Sequence, residues 1–348
     1  MKSLARMPLE SIVGLYFLSY IPNIILTRLA TSGVHPGRGR ALTGLETLPI
    51  SLTVSLVLTY AFIWLSGWHR DAHGRKVGGF RFPVPTRYTL LSGVGTALVL
   101  FTVPLSFTFT DVSIPFIQLL MRGDILVIAP LVDVLFGRRV RWWSWTALVI
   151  VAAALTLVVH QRGGFHLPPM AIATVVLYTV GYFLRLAVMT RISKSGDAAS
   201  VRRYFVEEKI IALPLSVAAL ALLGATGLGS QADELLWGFT HAWTDPVFLS
   251  LAAIGLTLTI ISVFAAIILL DPRENSYCVP LERSASLLAG LAAAWLLHML
   301  WQQPMPTGTE FAGAALLIAA ITLLTIAPRL SGGRIRRSRA QSDESPRR

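Results

Sequence analysis

Two arginines lie deep within long apolar runs of this sequence. Arg122 is about ten residues into the run 112–136, and Arg283 closely follows Pro280 in the run 276–300. An ionised group at that depth of a membrane is costly unless it faces protein, water or a ligand. The guanidinium group is a planar fork that binds a carboxylate or phosphate through two hydrogen bonds. These residues therefore predict an anion-binding site inside a membrane.

Other polar residues share the same runs. Gln118 lies one helical turn before Arg122 on the same face, and Asp133 returns to that face three turns later. Asp124 lies about 200° round the helix from Arg122, which favours pairing with a neighbouring helix. Exchange and proton coupling, with Glu282 or Asp124 carrying the proton, both remain open. The predicted substrate-binding residues are Arg122, Gln118, Arg283 and Glu282.

A structural ion pair, such as Arg122 with Asp124, is the alternative for these deep charges. Four more charged residues lie nearer the ends of their runs, where long side chains reach water by snorkelling. We expect all four to do so: Arg185, Glu207, Glu208 and Lys209. The residues predicted as alternatives for coupling or structural pairing are Asp124, Asp133, Arg185, Glu208 and Lys209.

The elements that hold these residues are long apolar helices. Of the 348 residues 54% are hydrophobic and only 14% are charged, where a soluble domain carries about a quarter. An α-helix needs about 20 apolar residues to cross the hydrocarbon core. The sequence predicts an all-α integral membrane protein with ten spans: 11–30, 46–66, 87–109, 112–136, 142–160, 169–191, 204–224, 247–270, 276–300 and 309–327.

The distribution of Lys and Arg predicts the orientation. With the N-terminus inside, 22 of these residues fall in inner segments and 4 in outer segments, so both termini are predicted to be cytoplasmic. The net charge of +12 therefore reflects topology, and we exclude nucleic acid as a partner. The basic tail 331–348 is predicted to be disordered and attracted to anionic lipid headgroups.

The outer loop 225–246 is apolar and aromatic, with acidic rather than basic charges. Its side chains fit two alternatives: an interfacial helix on the membrane surface or a loop with aromatic-belt residues. The residues that suggest a helix are Leu235, Leu236, Trp237, Phe239 and Trp243.

The two halves of the chain look like each other. Placing Pro115 on Pro280, an offset of 165, pairs the fourth predicted span with the ninth and the fifth with the tenth. Because five spans is an odd number, the second copy must enter the membrane inverted, which is typical of transporters. We predict two inverted five-helix repeats, residues 1–160 and 161–330.

These patterns resemble those of a known family. The residues that carry the likeness are 111–115, 135–137, 142–159, 280–298 and 308–313. The sequence resembles the drug/metabolite transporter superfamily, which includes the EamA-type exporters, nucleotide-sugar transporters and plastid phosphate translocators. The resemblance implies a ten-helix inverted-repeat carrier whose central cavity is lined by helices of both halves.

The sequence thus predicts a secondary transporter that moves a small polar organic solute, anionic or zwitterionic, by alternating access. Two alternatives stay open: a membrane enzyme or translocator acting on lipids or lipid-linked substrates, and a non-transporting receptor or scaffold. No phosphate loop, nucleophile elbow or HExxH motif occurs, so we predict no enzyme activity, cofactor or metal. The expected partners are the solute and the bilayer, with a homodimer left open. The compact loops suggest a bacterial inner membrane.

Overall fold

The computed structural model of the chain describes most of the apolar runs. It covers residues 8–33, 40–77, 80–106, 109, 116–117, 120–121, 128, 142–161, 168–192, 198–271, 275–320, 322–323 and 326–327. Within these residues six helices are long and apolar enough to cross a membrane, which indicates a multi-pass membrane protein. They are Leu9–Thr31, Gly44–Leu65, Pro169–Met189, Ala199–Ala225, Phe248–Leu269 and Leu281–Trp301.

Nine of the ten predicted spans overlap helices in the described part of the chain, and six of those helices are long and apolar enough to cross a membrane. The remaining predicted span, 112–136, lies largely outside the described residues. The helices are α1 (Leu9–Thr31), α2 (Gly44–Leu65), α3 (Arg87–Ser106), α4 (Trp142–Gln161), α5 (Pro169–Ile192), α6 (Ala198–Ala225), α7 (Gly229–Thr240), α8 (Phe248–Leu269), α9 (Asn275–Trp301) and α10 (Gly308–Ala320).

Helix α2 begins at a capping box, in which two side chains satisfy backbone groups at the helix start. The Thr43 hydroxyl accepts a hydrogen bond from the Glu46 N–H at 3.3 Å, and the Glu46 carboxylate accepts one from the Thr43 N–H at 2.9 Å. This exchange satisfies N–H groups that no helical carbonyl reaches. Arg40 donates a further hydrogen bond to Glu46 at 2.9 Å, which anchors the preceding chain.

The segment between α2 and α3 departs from the all-α prediction. It holds a 3₁₀ turn, Trp68–Arg70, and an antiparallel hairpin of β1 (Gly74–Val77) and β2 (Phe80–Pro83), with Gly74 opposite Pro83. The sequence between the strands is Gly78-Gly79, a dipeptide favoured in tight hairpin turns. A span-by-span hydropathy analysis misses this hairpin because each strand has only four residues.

The two predicted halves pack into each other. Helix α1 lies against α8 and α9, α2 against α6 and α8, and α3 against α5 and α6. Gly95 of α3 meets Gly181 of α5 so closely that a Cβ on either residue would lie 2.6 Å from the carbonyl oxygen of the other. Among the described helices, most of the close packing is therefore between the two predicted halves, and large apolar side chains such as Leu18, Leu222 and Leu249 face outward.

The segment 225–246, predicted to be an outer loop, contains helix α7, so it is helical as the first of the two alternatives required. Its position at the membrane surface stays a prediction. Its Ala232, Leu235 and Gly238 are buried, whereas Leu236 is exposed. A Cβ added at Gly238 would lie 2.6 Å from the ring of Pro49 in α2. The helix therefore packs closely against α2 at Gly238.

Candidate solute-binding site

The two charged residues predicted on α9 are both buried in the interior. Glu282 is 4% exposed and Arg283 is 1% exposed. The Tyr16 hydroxyl of α1 donates a short hydrogen bond to Glu282 Oε1, and Arg283 Nε lies 3.2 Å from Glu282 Oε2. The guanidinium group stacks over the ring of Tyr182 at 3.9 Å, with Tyr178 at 5.7 Å. We name this group, completed by Tyr20, the α9 cluster.

The four tyrosines of the α9 cluster form two pairs. Tyr16 and Tyr20 of α1 meet edge to face, with ring centres 5.2 Å apart, and Tyr178 and Tyr182 of α5 stack at 5.7 Å. All four are buried. None of the four was predicted from the sequence as a site residue.

A signal for these tyrosines is present in the sequence. Leu-Tyr-x-x-x-Tyr occurs at residues 15–20 and again at 177–182, an offset of 162. That offset is slightly smaller than the 165 between Pro115 and Pro280, as the predicted repeat requires for its first helices. The same offset of 162 pairs Asn23 with Arg185. Both are polar residues that donate a hydrogen bond to a neighbouring helix. This correspondence adds to the sequence support for the repeat.

A second buried polar group surrounds Glu208 of α6. Its carboxylate accepts hydrogen bonds from Arg185 Nε at 2.8 Å and from the Thr96 hydroxyl at 2.5 Å. The Tyr204 hydroxyl donates to it at 3.1 Å, and Lys209 Nζ lies 3.6 Å from its second oxygen. We name this group, completed by Ser92 beside Tyr204, the α6 cluster.

The burial of the α6 cluster corrects the expectation that its charges snorkel to water. Glu207, Glu208, Lys209 and Arg185 are between 0% and 6% exposed. Helix α6 begins at Ala198, six residues before the predicted start of the span, so the three α6 charges lie nearly three turns into the helix. Helix α3 covers them there, and structural pairing replaces contact with water.

Helix α5 joins the two clusters. Tyr182, which stacks on Arg283, lies one turn before Arg185, which binds Glu208. We name the two clusters together the buried seam, which runs from Tyr16 on α1 through α9, α5 and α6 to Thr96 on α3.

Both carboxylates of the seam bind hydroxyl groups from the other predicted half. Glu282 and Glu208 belong to the second half, and their partners Tyr16 and Thr96 belong to the first. Asn23 also donates to the Thr257 hydroxyl of α8 at 2.9 Å. The seam therefore lies where the two halves meet.

Four predicted site residues lie outside the described residues: Arg122, Gln118, Asp124 and Asp133. Their positions remain predictions of the sequence. Of the described residues close to them in sequence, Phe116, Ile117, Met121 and Ile128 are buried in the core that also holds Tyr16 and Tyr182, and Leu120 is partly buried against it. Among the described residues no group of three or more His, Cys, Asp or Glu is placed to hold a metal ion.

Comparison with known proteins gives little further information. No protein-family model matches the sequence, and no curated protein matches it. One solved structure, described only as a crystal structure of a protein, is 16% identical over 90% of this chain and 97% of its own length, with a TM-score of 0.49. Likeness at this level carries no argument about function.

Proposed function

We propose that this chain is a secondary transporter of a small polar organic solute that carries a carboxylate or phosphate, either as an anion or as a zwitterion. On this proposal it is a member of the drug/metabolite transporter superfamily, with ten spans in two inverted halves and both termini in the cytoplasm of a bacterial inner membrane. It has no enzymatic activity.

The observation that carries the proposal is the buried polar seam between the two halves. Five of the buried charged side chains in the described part of the chain belong to this seam, although removal of charge from water costs several kcal/mol per ion. They are Arg185, Glu208, Lys209, Glu282 and Arg283. Charged residues inside a membrane mark solute or ion pathways, and in inverted-repeat carriers such sites lie at the interface of the repeats. A scaffold would need no such residues at a shared interface.

The geometry of the α9 cluster suggests how binding is linked to movement. Glu282 lies between Arg283 and Tyr16, so it connects a cation of the second half to a hydroxyl of the first. An acidic group of the solute that binds Arg283 competes directly with the Glu282 carboxylate. Displacement of Glu282 alters its hydrogen bond to Tyr16, one of the bonds that join the halves. A solute that binds one arrangement more tightly shifts the population toward it.

The tyrosine rings around Arg283 and Glu282 indicate the chemistry of the rest of the solute. Tyr178 and Tyr182 surround the guanidinium group of Arg283, and Tyr16 and Tyr20 lie on the Glu282 side. Rings with hydroxyl groups offer both apolar contact and hydrogen bonds. We infer a compact organic acid rather than an inorganic ion.

The direct test is a thermal-shift screen of the purified protein with organic anions, zwitterions and cations. Ligand at about 100 times its Kd should stabilise the protein by about 2.7 kcal/mol. Anions or zwitterions should stabilise the wild type but not Arg283→Met. Arg87→Met is the matched control, because Arg87 also stacks on a tyrosine, Tyr88 at 4.8 Å, but is exposed. Its response should equal that of the wild type.

Two further variants keep the test informative. Arg283→Lys preserves the charge without the planar fork, so it should weaken anion binding while sparing the fold. Arg122→Ala tests the arginine predicted from the sequence. If only cations or lipids stabilise the protein, and the wild type and Arg283→Met respond equally, the anion carrier is the wrong function.

A further inference from the structure

A turn at one end of the helices is bonded to α6 through an ion pair. This turn, residues 67–73, follows α2 in the first predicted half and we name it the inner turn. Arg202 Nε of α6 lies 2.5 Å from Asp71 Oδ2, and Arg203 Nε donates to the Asp71 carbonyl oxygen at 3.0 Å. The Asp71 and Arg202 side chains are each 30% exposed, so the pair lies at the protein surface.

A second carboxylate holds the same turn from the interior. Glu207 of α6 accepts hydrogen bonds from the His73 N–H at 3.0 Å and the Thr89 hydroxyl at 2.9 Å, and His73 Nδ1 lies 2.6 Å from it. The Glu207 side chain is 1% exposed, whereas that of His73 is 56% exposed. Departure of the turn would leave Glu207 without two of these contacts and would open it to water.

An aromatic side chain fills the space beneath the turn. The Trp68 ring lies between Phe62 of α2 and Phe205 of α6, with ring centres 5.0 Å and 5.3 Å away, and both contacts are edge to face. Ala72 of the same turn is also buried. The inner turn is therefore held against α2 and α6 by aromatic contacts as well as by polar bonds.

We propose that the inner turn is the gate of the carrier on the face that its Lys and Arg residues predict to be cytoplasmic, and that Asp71 and Glu207 latch it to α6. The latch joins the first predicted half to the second. Glu207 is followed by Glu208, the centre of the α6 cluster, so a movement of α6 that releases the turn also moves the buried seam. This proposal rests on the proposed function for its consequence in transport, but the latch is testable without a solute.

The chemistry of the contacts suits a latch that opens. A partly exposed ion pair such as Asp71–Arg202 contributes little to stability, because water competes for both partners. Glu207 can exchange its bonds to His73 for bonds to water once the turn has moved. The buried contacts within the seam, such as Arg185–Glu208, do not have that exchange available.

The experiment measures access to the seam from each side of the membrane. Ser92→Cys, in a Cys278→Ser background, places a thiol in the buried α6 cluster, since Ser92 is 0% exposed. Inside-out and right-side-out vesicles are treated with a membrane-impermeant maleimide, and the labelling rate is compared between Arg202→Gln and the parent. Arg75→Gln is the matched control, because it removes the same charge from the exposed hairpin strand that follows the turn.

The latch predicts faster labelling from one side only. Loss of one partly exposed ion pair should raise the labelling rate from the hairpin side about fivefold, with Arg75→Gln unchanged. Asp71→Arg should act like Arg202→Gln, and the double variant Asp71→Arg/Arg202→Asp should return the rate toward that of the parent. Trp68→Ala, which leaves the polar bonds in place, should also increase labelling from that side.

Two results would overturn the gate. One is an unchanged labelling rate in Arg202→Gln, Asp71→Arg and Trp68→Ala; the other is an equal increase from both sides, which indicates general loosening. The proposed function fails separately, in the thermal-shift screen. If no organic anion stabilises the protein but labelling responds as predicted, the gate stands as a conformational device and only its role in transport is lost.

Discussion

Tyr16 in the first helix donates a hydrogen bond to Glu282, which lies 266 residues further along the chain. The same glutamate lies 3.2 Å from the guanidinium group of Arg283, and that group stacks on Tyr182. One buried carboxylate thus connects α1, α9 and, through the arginine, α5. The strength of these contacts determines both the stability of the helix packing and, on our proposal, its response to a solute.

Tyr16→Phe should destabilise the protein more than a tyrosine change elsewhere. The substitution removes a hydrogen bond to a charged, buried carboxylate, which contributes about 1.5–3 kcal/mol. Tyr60→Phe is the comparison, because its hydroxyl donates to the neutral Ile210 carbonyl at 3.3 Å and should cost only about 0.5–1.5 kcal/mol. The unfolding midpoints of the two variants in detergent provide the measurement. Equal losses of stability in the two variants would show that the Tyr16–Glu282 hydrogen bond contributes no more than the Tyr60–Ile210 bond.

Removal of the carboxylate from the α6 cluster should cost more than removal of its lysine. Glu208→Gln leaves Arg185 and Lys209 buried as like charges, and loss of one partner from a buried pair costs about 3–5 kcal/mol. Lys209→Met keeps the Arg185–Glu208 pair intact and should stay within about 1 kcal/mol of the wild type. Thermal unfolding of both variants tests this order. A Lys209→Met variant as unstable as Glu208→Gln would contradict it.

Two substitutions at Tyr182 separate its ring from its hydroxyl group. The ring stacks on Arg283 at 3.9 Å, and a desolvated cation–π contact contributes about 2 kcal/mol. Tyr182→Phe should keep the affinity for the stabilising anion nearly unchanged, whereas Tyr182→Leu should lower it severalfold because Arg283 loses its support. Ligand-dependent shifts in melting temperature measure both affinities. A loss in Tyr182→Phe as large as in Tyr182→Leu would assign the effect to the hydroxyl instead.

Close packing of α3 on α5 should tolerate no Cβ at the contact between the two glycines. Gly95→Ala would place a methyl group 2.6 Å from the Gly181 carbonyl oxygen, and such overpacking costs about 1–3 kcal/mol. Gly14→Ala is the control in α1, where no atom lies within 4 Å of the added Cβ, so it should be neutral or stabilise by up to about 1 kcal/mol. The unfolding midpoints of the two variants provide the measurement. A Gly95→Ala variant as stable as the wild type would mean that α3 and α5 separate freely.

Much of the helical framework could be predicted from the sequence. Observed and predicted helices agree at 44–65 and at 248–269 to within two residues at each end. Lipid offers no partner for a bare backbone, so a long apolar run can only be a helix or part of a closed barrel. The burial of Glu282 and Arg283 was also predictable, because both lie well inside such a run. The hairpin was not, because its strands are too short for a hydropathy window.

Only the tertiary structure decided which side chains meet. The sequence placed Glu208 and Arg185 near the ends of their spans, where solvent contact is the expected outcome, whereas α3 covers both and Thr96 completes the site. The repeated tyrosine pattern can be read in the sequence. The position of these tyrosines around Arg283 and Glu282, however, depends on α1 and α5 both approaching α9. Helical periodicity fixes the face on which a residue lies, while the neighbour of that face is set by packing between helices distant in the chain.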